Sequence, residues 1–275
     1  MINYELGIIP HWIVILFLIF NSGLAPGDPK NLNSRRPLVV IDPGHGGRDH
    51  GAKGKISIEK EINLQVAKRI QSELYSGLPS VEVILTRDTD EFVSLKERGR
   101  IANALNADIF ISLHCNSNHN GKIRGVETYV MGLDKAENNA LITARENSEI
   151  AESGNELLMN PNSAEDLIFI NQLLSSNQQH SIEFADLCYQ HILAIHPGKG
   201  RPTRQAGFVV LWSTTMPSVL IELGYLNNPQ DEEFLNQEEG QTKIARALSE
   251  AIKIFLERRN AEASSTSIPP NRFRE

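Results

Sequence analysis

Two cysteines in 275 residues, Cys115 and Cys188, are too few for the disulfide framework of a small secreted scaffold. Both read as buried thiols. Basic charge is also short. The chain has 27 Lys and Arg against 34 Asp and Glu, a formal net charge of −7. That excludes the broad basic surface of a nucleic-acid binder, so no nucleic-acid partner is expected. No GxGxxG run occurs, and no Lys-Ser/Thr pair follows a glycine cluster, which argues against a nucleotide loop. Internal repeats are absent. No cysteine lies in the first hundred residues, which excludes lipid attachment at a leader cysteine. What remains, with 40% hydrophobic and 22% charged residues, is a globular chain able to bury one core of ordinary size.

The N-terminus differs in character. From Ile8 to Phe20 nearly every residue is apolar, with Pro10 and His11 interrupting. This run is too short for a comfortable membrane span. Followed by Ser22, Gly23, Ala25 and Gly27, it matches a signal peptide, although Glu5 and the lack of Lys or Arg before it depart from that pattern. Residues 1–27 therefore read as an export leader, or else as a retained anchor or a buried apolar segment. Residues 28–37 read as a linker, 38–260 as the folded domain and 261–275 as a disordered tail.

Within the domain, apolar runs at Leu38 to Ile41, Val81 to Leu85, Ile109 to Leu113, Val126 to Val130 and Val219 to Leu223 predict strands. Helical spacing predicts helices from Lys60, over Leu95 to Leu105, over Ile182 to Ile195 and over Gln241 to Glu257. This alternation implies an α/β fold, a single domain with a twisted, largely parallel central sheet flanked by helices on both faces. Residues 131–180, rich in Asn, Glu and Ser, break the rhythm and read as an insertion with short helical stretches such as Ala140 to Ala151.

Asp42-Pro43-Gly44-His45-Gly46-Gly47 ends a strand in a glycine-rich turn that presents one imidazole. The carboxyl end of a core strand is where open α/β sheets keep their ligand crevices. His114, in IFISLHCN, closes a second apolar strand at the same end, and alternation sends Cys115 to the opposite face. Either histidine alone would read as a structural residue. The two together suggest a catalytic zinc site, which takes three protein ligands and keeps one position for water. Glu59 is the better third ligand, with Glu61 its rival. A solvated helix start would also explain both carboxylates. Glu222 sits inside an apolar strand, where a charge is costly unless it is functional or paired to an Arg. Beside a metal it would act as general base and then general acid.

The motifs DPGHGG, EKEINLQVA, LTRD, the series Leu95, Arg98, Ala102 and Asn103, ISLHCNS and PSVLIELGYLNNPQDEEFL occur in this order. Together they closely resemble the zinc-dependent type 3 family of N-acetylmuramoyl-L-alanine amidases, from about Leu38 to the final helix. The resemblance implies Zn2+ held by His45, Glu59 and His114, with Glu222 as the catalytic carboxylate. It implies peptidoglycan as substrate, cut at the amide between N-acetylmuramic acid and L-alanine, and an exported, periplasmic or wall-facing monomer. Cys115 stands where the family usually has a small residue. The 131–180 insertion lies where cell-division members carry an autoinhibitory segment displaced by an activator protein. Its carboxylates include Glu146 and Glu149, and a substrate flap or an inert loop would also account for it. The rival readings are another zinc-dependent cell-wall peptidase and a non-catalytic wall-binding regulator. No separate wall-binding module is expected within these 275 residues.

Overall fold

In a computed structural model of the chain, the described residues are 35–266 apart from 119, 133–136 and 149–163. The expected leader, most of the linker, Glu149 and residues 267–275 lie outside them. Among the described residues no helix is long and apolar enough to cross a membrane.

The elements follow one another as β1 (Leu38–Pro43), α1 (Glu59–Gly77), β2 (Glu82–Leu85), α2 (Leu95–Ala104), β3 (Ile109–Asn116), β4 (Glu127–Met131), α3 (Glu137–Glu146), α4 (Ala164–Leu193), β5 (Arg201–Ala206), α5 (Val209–Trp212), β6 (Ser218–Tyr225), α6 (Pro229–Asn236) and α7 (Glu238–Thr266). The compact unit holding them starts at Arg36. Six strands form one sheet in the order β2-β1-β3-β6-β4-β5. The first four are mutually parallel, and β4 joins β6 antiparallel with β5 parallel to β4.

Period-two alternation splits the core into two layers. Val39, Ile41, Ile109, Ile111, Leu113, Cys115, Val219, Ile221 and Leu223 point to one face and meet α1, α4 and α7. There α1 contributes Ile62, Val66, Ile70 and Leu74, the four-residue spacing of one helix face. On the other face Val40, Phe110, Tyr129 and Leu220 meet α2 and α5. That face also carries Asp42, His114 and Glu222 by alternation, so polar chemistry gathers where its cover is thinner.

Three boundaries differ from the sequence expectation. Residues assigned to the 131–180 insertion are partly regular structure. Met131 ends β4, and α4 starts at Ala164, whereas a start near Ile182 was expected. The C-terminal half of α4 buries Phe184, Cys188 and Ile192 in the core, which anchors the helix by tertiary packing. The strand β5 was not anticipated, because Arg201–Ala206 is polar and pairs at the sheet edge. Residues 261–266 of the expected disordered tail continue α7 as exposed helix. Propagating an existing helix adds one hydrogen bond per residue without a new nucleus.

Candidate active site

The His45 loop is an uncommon piece of backbone held by two buried arginines. His45 itself has φ +61°, a left-handed conformation that costs about 1–3 kcal/mol for a non-glycine residue unless the surroundings impose it. Arg98, from α2, donates to Pro43 O at 2.9 Å, His45 O at 2.8 Å and Val93 O at 2.9 Å, and to Asp42 Oδ1 at 2.7 Å. Arg87 donates to Pro43 O, Gly44 O, Lys60 O and Thr89 O. The two guanidinium forks thus hold the loop carbonyls of Pro43, Gly44 and His45 from two sides. Gly44 is required on spatial grounds. A Cβ there would lie 2.4 Å from the His114 ring.

The loop, the strand ends and the first turn of α1 bring the expected residues together. Glu59 opens α1, its backbone N–H held by Ala52 O at 3.0 Å, and its fully buried carboxylate leans back over the ends of β1 and β3. Glu59 Oε1 lies 3.1 Å from His45 Nε2 and 3.1 Å from His114 Nδ1. Its oxygens also accept from Ala52 N at 2.6 Å and Cys115 N at 2.8 Å, which fixes the carboxylate. Asn63, one turn along α1, sits 3.5 Å from Glu59 Oε1. Glu61 is exposed. Cys115 faces the opposite core layer, its Sγ 3.4 Å from Asn63 Oδ1.

Glu146, at the end of α3, supplies a fourth group. Its Oε2 is 3.1 Å from His45 Nε2 and 2.8 Å from His114 Nδ1. One ligand atom from each of His45, Glu59, His114 and Glu146 falls within 4.8 Å of the others, and all four residues are buried. This set could hold a metal ion. Zinc bonds of about 2.0–2.2 Å set ligand atoms roughly 3–3.5 Å apart; the four imidazole–carboxylate separations here are 2.8–3.1 Å, within a set that spans up to 4.8 Å. His45 Nε2 and Glu146 Oε2 are buried without hydrogen-bond partners, as donor atoms aimed at a shared cation would be.

The electrostatics agree with that fit. Burial alone would hold both imidazoles neutral. Glu146 and Glu59 outweigh it at His114, pushing it up to about 9, and Glu59 and Glu146 raise His45 well above its ordinary value. Such sites give up protons when a cation takes their place. The other ring nitrogen of His45, Nδ1, is 2.8 Å from Asp49 Oδ2, a contact of the kind by which a carboxylate orients a metal-binding histidine.

Glu222 lies directly across from His114 in the β3–β6 register and is fully buried. Its Oε2 has no hydrogen-bond partner. Burial raises its pKa to about 8, with Glu146 and Glu59 adding and Arg145 opposing. The alternative of a salt bridge to an Arg is present in weak form, since Arg145 Nη2 stands 3.5 Å from Glu222 Oε1. The same guanidinium group holds Glu146 Oε1 at 2.6 Å and donates to Asn116 Oδ1 at 3.1 Å. Sequence reasoning missed Asp49, Asn63, Arg87 and Arg145. Asp49 had a local signal, an acid four residues after a loop histidine. Arg145 had none, because only tertiary contact brings α3 to β6.

Comparison with known proteins gives the same answer. The family described as N-acetylmuramoyl-L-alanine amidase matches residues 39–254. The amidase AmiA of Escherichia coli (strain K12) is 32% identical over 236 residues, covering 84% of this chain and 80% of AmiA. The catalytic domain of the amidase CwlV from Bacillus (Paenibacillus) polymyxa var. colistinus superposes with a TM-score of 0.61 at 30% identity, covering 80% of this chain and 98% of that one. AmiC2 of Nostoc punctiforme gives 0.58 at 32% identity, covering 81% and 98%. The chain belongs to the type 3 N-acetylmuramoyl-L-alanine amidase family and is an amidase of peptidoglycan.

Proposed function

We propose that the chain hydrolyses the bond between the lactyl carbonyl of N-acetylmuramic acid and the nitrogen of L-alanine, with zinc held by His45, Glu59 and His114. The carrying observation is the convergence of these three at the carboxyl ends of β1 and β3, with Glu222 in register beside His114. Bound zinc supplies Lewis acidity towards water and an amide carbonyl. The residues do the rest. Asp49 and the N–H groups of Ala52 and Cys115 keep His45 and Glu59 in place. Glu222 takes a proton from the attacking water at a carboxylate oxygen and returns it to the departing amine nitrogen. Water oxygen joins the carbonyl carbon, the C–N bond breaks, and the products are a lactyl carboxylate and a free L-alanine amine. Burial lifts the Glu222 pKa out of the ordinary carboxylate range, the direction that suits a group which must both take up and return a proton.

The position of α3 supports a restrained resting state. With Glu146 as a fourth ligand, a four-coordinate zinc would have no position left for water, and Arg145 lies against Glu222. Hydrolysis then requires α3 to withdraw, and an activator would act by binding the withdrawn form better. The substrate calls for work on the wall-facing side of the membrane, with residues 1–27 as the export leader. Digestion of purified peptidoglycan with and without chelator, products resolved by mass, tests the reaction. Chelator-sensitive release of stem peptides with free L-alanine amines is expected. Cleavage between stem-peptide residues would instead identify a peptidase, and no cleavage after α3 is removed would leave only a binding role.

A further inference from the structure

The strand register runs on past the catalytic pair. His114 on β3 lies opposite Glu222 on β6, Glu222 opposite Glu127 on β4, and Glu127 opposite Arg201 on β5. One row across the sheet therefore reads His, Glu, Glu, Arg. At about 4.8 Å per strand, Arg201 stands roughly 10 Å from Glu222 along that row.

Glu127 is buried and saturated. Oε1 accepts from the Tyr225 hydroxyl at 2.8 Å and lies 3.2 Å from Arg201 Nη1. Oε2 accepts from the Tyr129 hydroxyl at 2.7 Å and from Asn116 at 3.3 Å, and lies 2.9 Å from Arg204. Two guanidiniums share one carboxylate, so the group keeps a surplus positive charge on a chain whose net charge is −7. Arg204 is turned back over the Tyr129 ring. Arg201 is not. Its side chain is 38% exposed and lines a cleft of about 450 Å3 together with Asn116, Asn118, Tyr225 and Arg145. Glu127 takes one of its N–H groups, leaving others of the guanidinium fork to face the cleft. The cleft adjoins the reaction centre independently of α3, since Asn116 and Tyr225 in its wall end β3 and β6, the strands that carry His114 and Glu222.

We infer that this cleft is the stem-peptide subsite and that Arg201, oriented by Glu127, binds the carboxylate of the residue following L-alanine. The inference rests on the amidase reading for what enters the cleft. Peptide geometry fits. That residue's Cα lies about 5–6 Å beyond the scissile bond, one N–Cα bond and one 3.8 Å step, and its carboxylate and the Arg201 side chain span what remains to a row position about 10 Å away. A stem with D-glutamate in second place carries either a free α-carboxylate or its amide there, and a guanidinium fork distinguishes the two. Arg201 is thus a specificity residue and Glu127 its positioning residue.

The test is equilibrium binding by calorimetry to the zinc-loaded Glu222→Gln protein in which residues 140–165 are replaced by a short Gly/Ser bridge, so that α3 does not restrain the site. The probes are muramoyl-L-alanyl-D-glutamate with its γ-carboxyl blocked as the methylamide, and the same compound with its α-carboxyl also converted to carboxamide. The free acid is expected to bind about tenfold tighter, the scale of a charge-assisted contact. Adding Arg201→Gln should weaken the free acid about tenfold and leave the carboxamide unchanged, so the preference disappears. Adding Arg201→Lys instead should restore part of it. Equal binding of the two probes, no binding of either, or an equal loss for both in Arg201→Gln would overturn the subsite. Hydrolysis of purified peptidoglycan by wild-type protein reports separately on the reaction. A carboxylate preference without cleavage removes the amidase step alone, and cleavage without the preference removes the subsite alone.

Discussion

Replacing Arg98 by Met keeps an apolar stem of similar length and removes the guanidinium that joins α2 to the His45 loop. Four hydrogen bonds go with it, to Asp42 and to the carbonyls of Pro43, His45 and Val93. Asp42 stays fully buried, with only Thr86 and Ser112 left to donate to it. Breaking one partner out of a buried ion pair costs about 3–5 kcal/mol. At roughly 2–4 °C per kcal/mol for a domain of this size, melting should fall by about 6–20 °C. The loop also loses what holds His45 at φ +61°, so zinc should bind more weakly. Acid gives an independent check. Burial alone would raise the Asp42 pKa, but Arg98 and the Thr86 and Ser112 hydroxyls hold it below the usual carboxylate range. A depressed folded pKa adds stability above the unfolded value of about 4 and loses it as pH falls through the folded value. The gap between wild type and Arg98→Met should therefore be full at pH 7 and narrow once pH drops below about 4. Thermal melts across pH 3–7 on zinc-loaded protein, with metal content by elemental analysis, measure both effects. A variant melting within about 2 °C of wild type with normal zinc would refute the clamp.

His45→Ala and His114→Ala should each fold yet retain no stoichiometric zinc, and a full metal complement in either would remove that residue from the ligand set. Glu222→Gln is nearly isosteric and should keep zinc while losing turnover on peptidoglycan by roughly a factor of 10² or more; near-normal turnover would mean the carboxylate moves no proton. Replacing about Ala140 to Glu165 with a short Gly/Ser bridge removes Arg145 and Glu146 and should raise the basal rate of isolated, zinc-loaded enzyme. A rate that is unchanged or lower would favour a substrate flap or an inert segment over restraint.

Alternation and helical spacing made the core legible in the sequence. Strand and helix periods differ, so the apolar positions of β1, β3, β6 and α1 could be read directly, and with them the strand ends where His45 and His114 sit. The charge of Glu222 inside an apolar strand was equally plain, because an isolated carboxylate there is too costly to be incidental. Residues 201–206 held no such signal. An edge strand pairs through its backbone on one side only and can be polar on both faces, and its place beside β4 was decided by tertiary pairing. The antiparallel joining of β4 to β6 was likewise invisible, yet it sets Glu127 opposite Glu222 and brings Arg201 into the same row. Contacts between residues far apart in the chain decided the rest: Arg98 on the His45 carbonyl, Arg145 between Glu146 and Glu222, and Glu146 against both histidines. Local sequence sets which backbone conformations are cheap. Which distant charge ends beside which depends on how the layers close over a shared core, and one chain read in order carries no periodic trace of that.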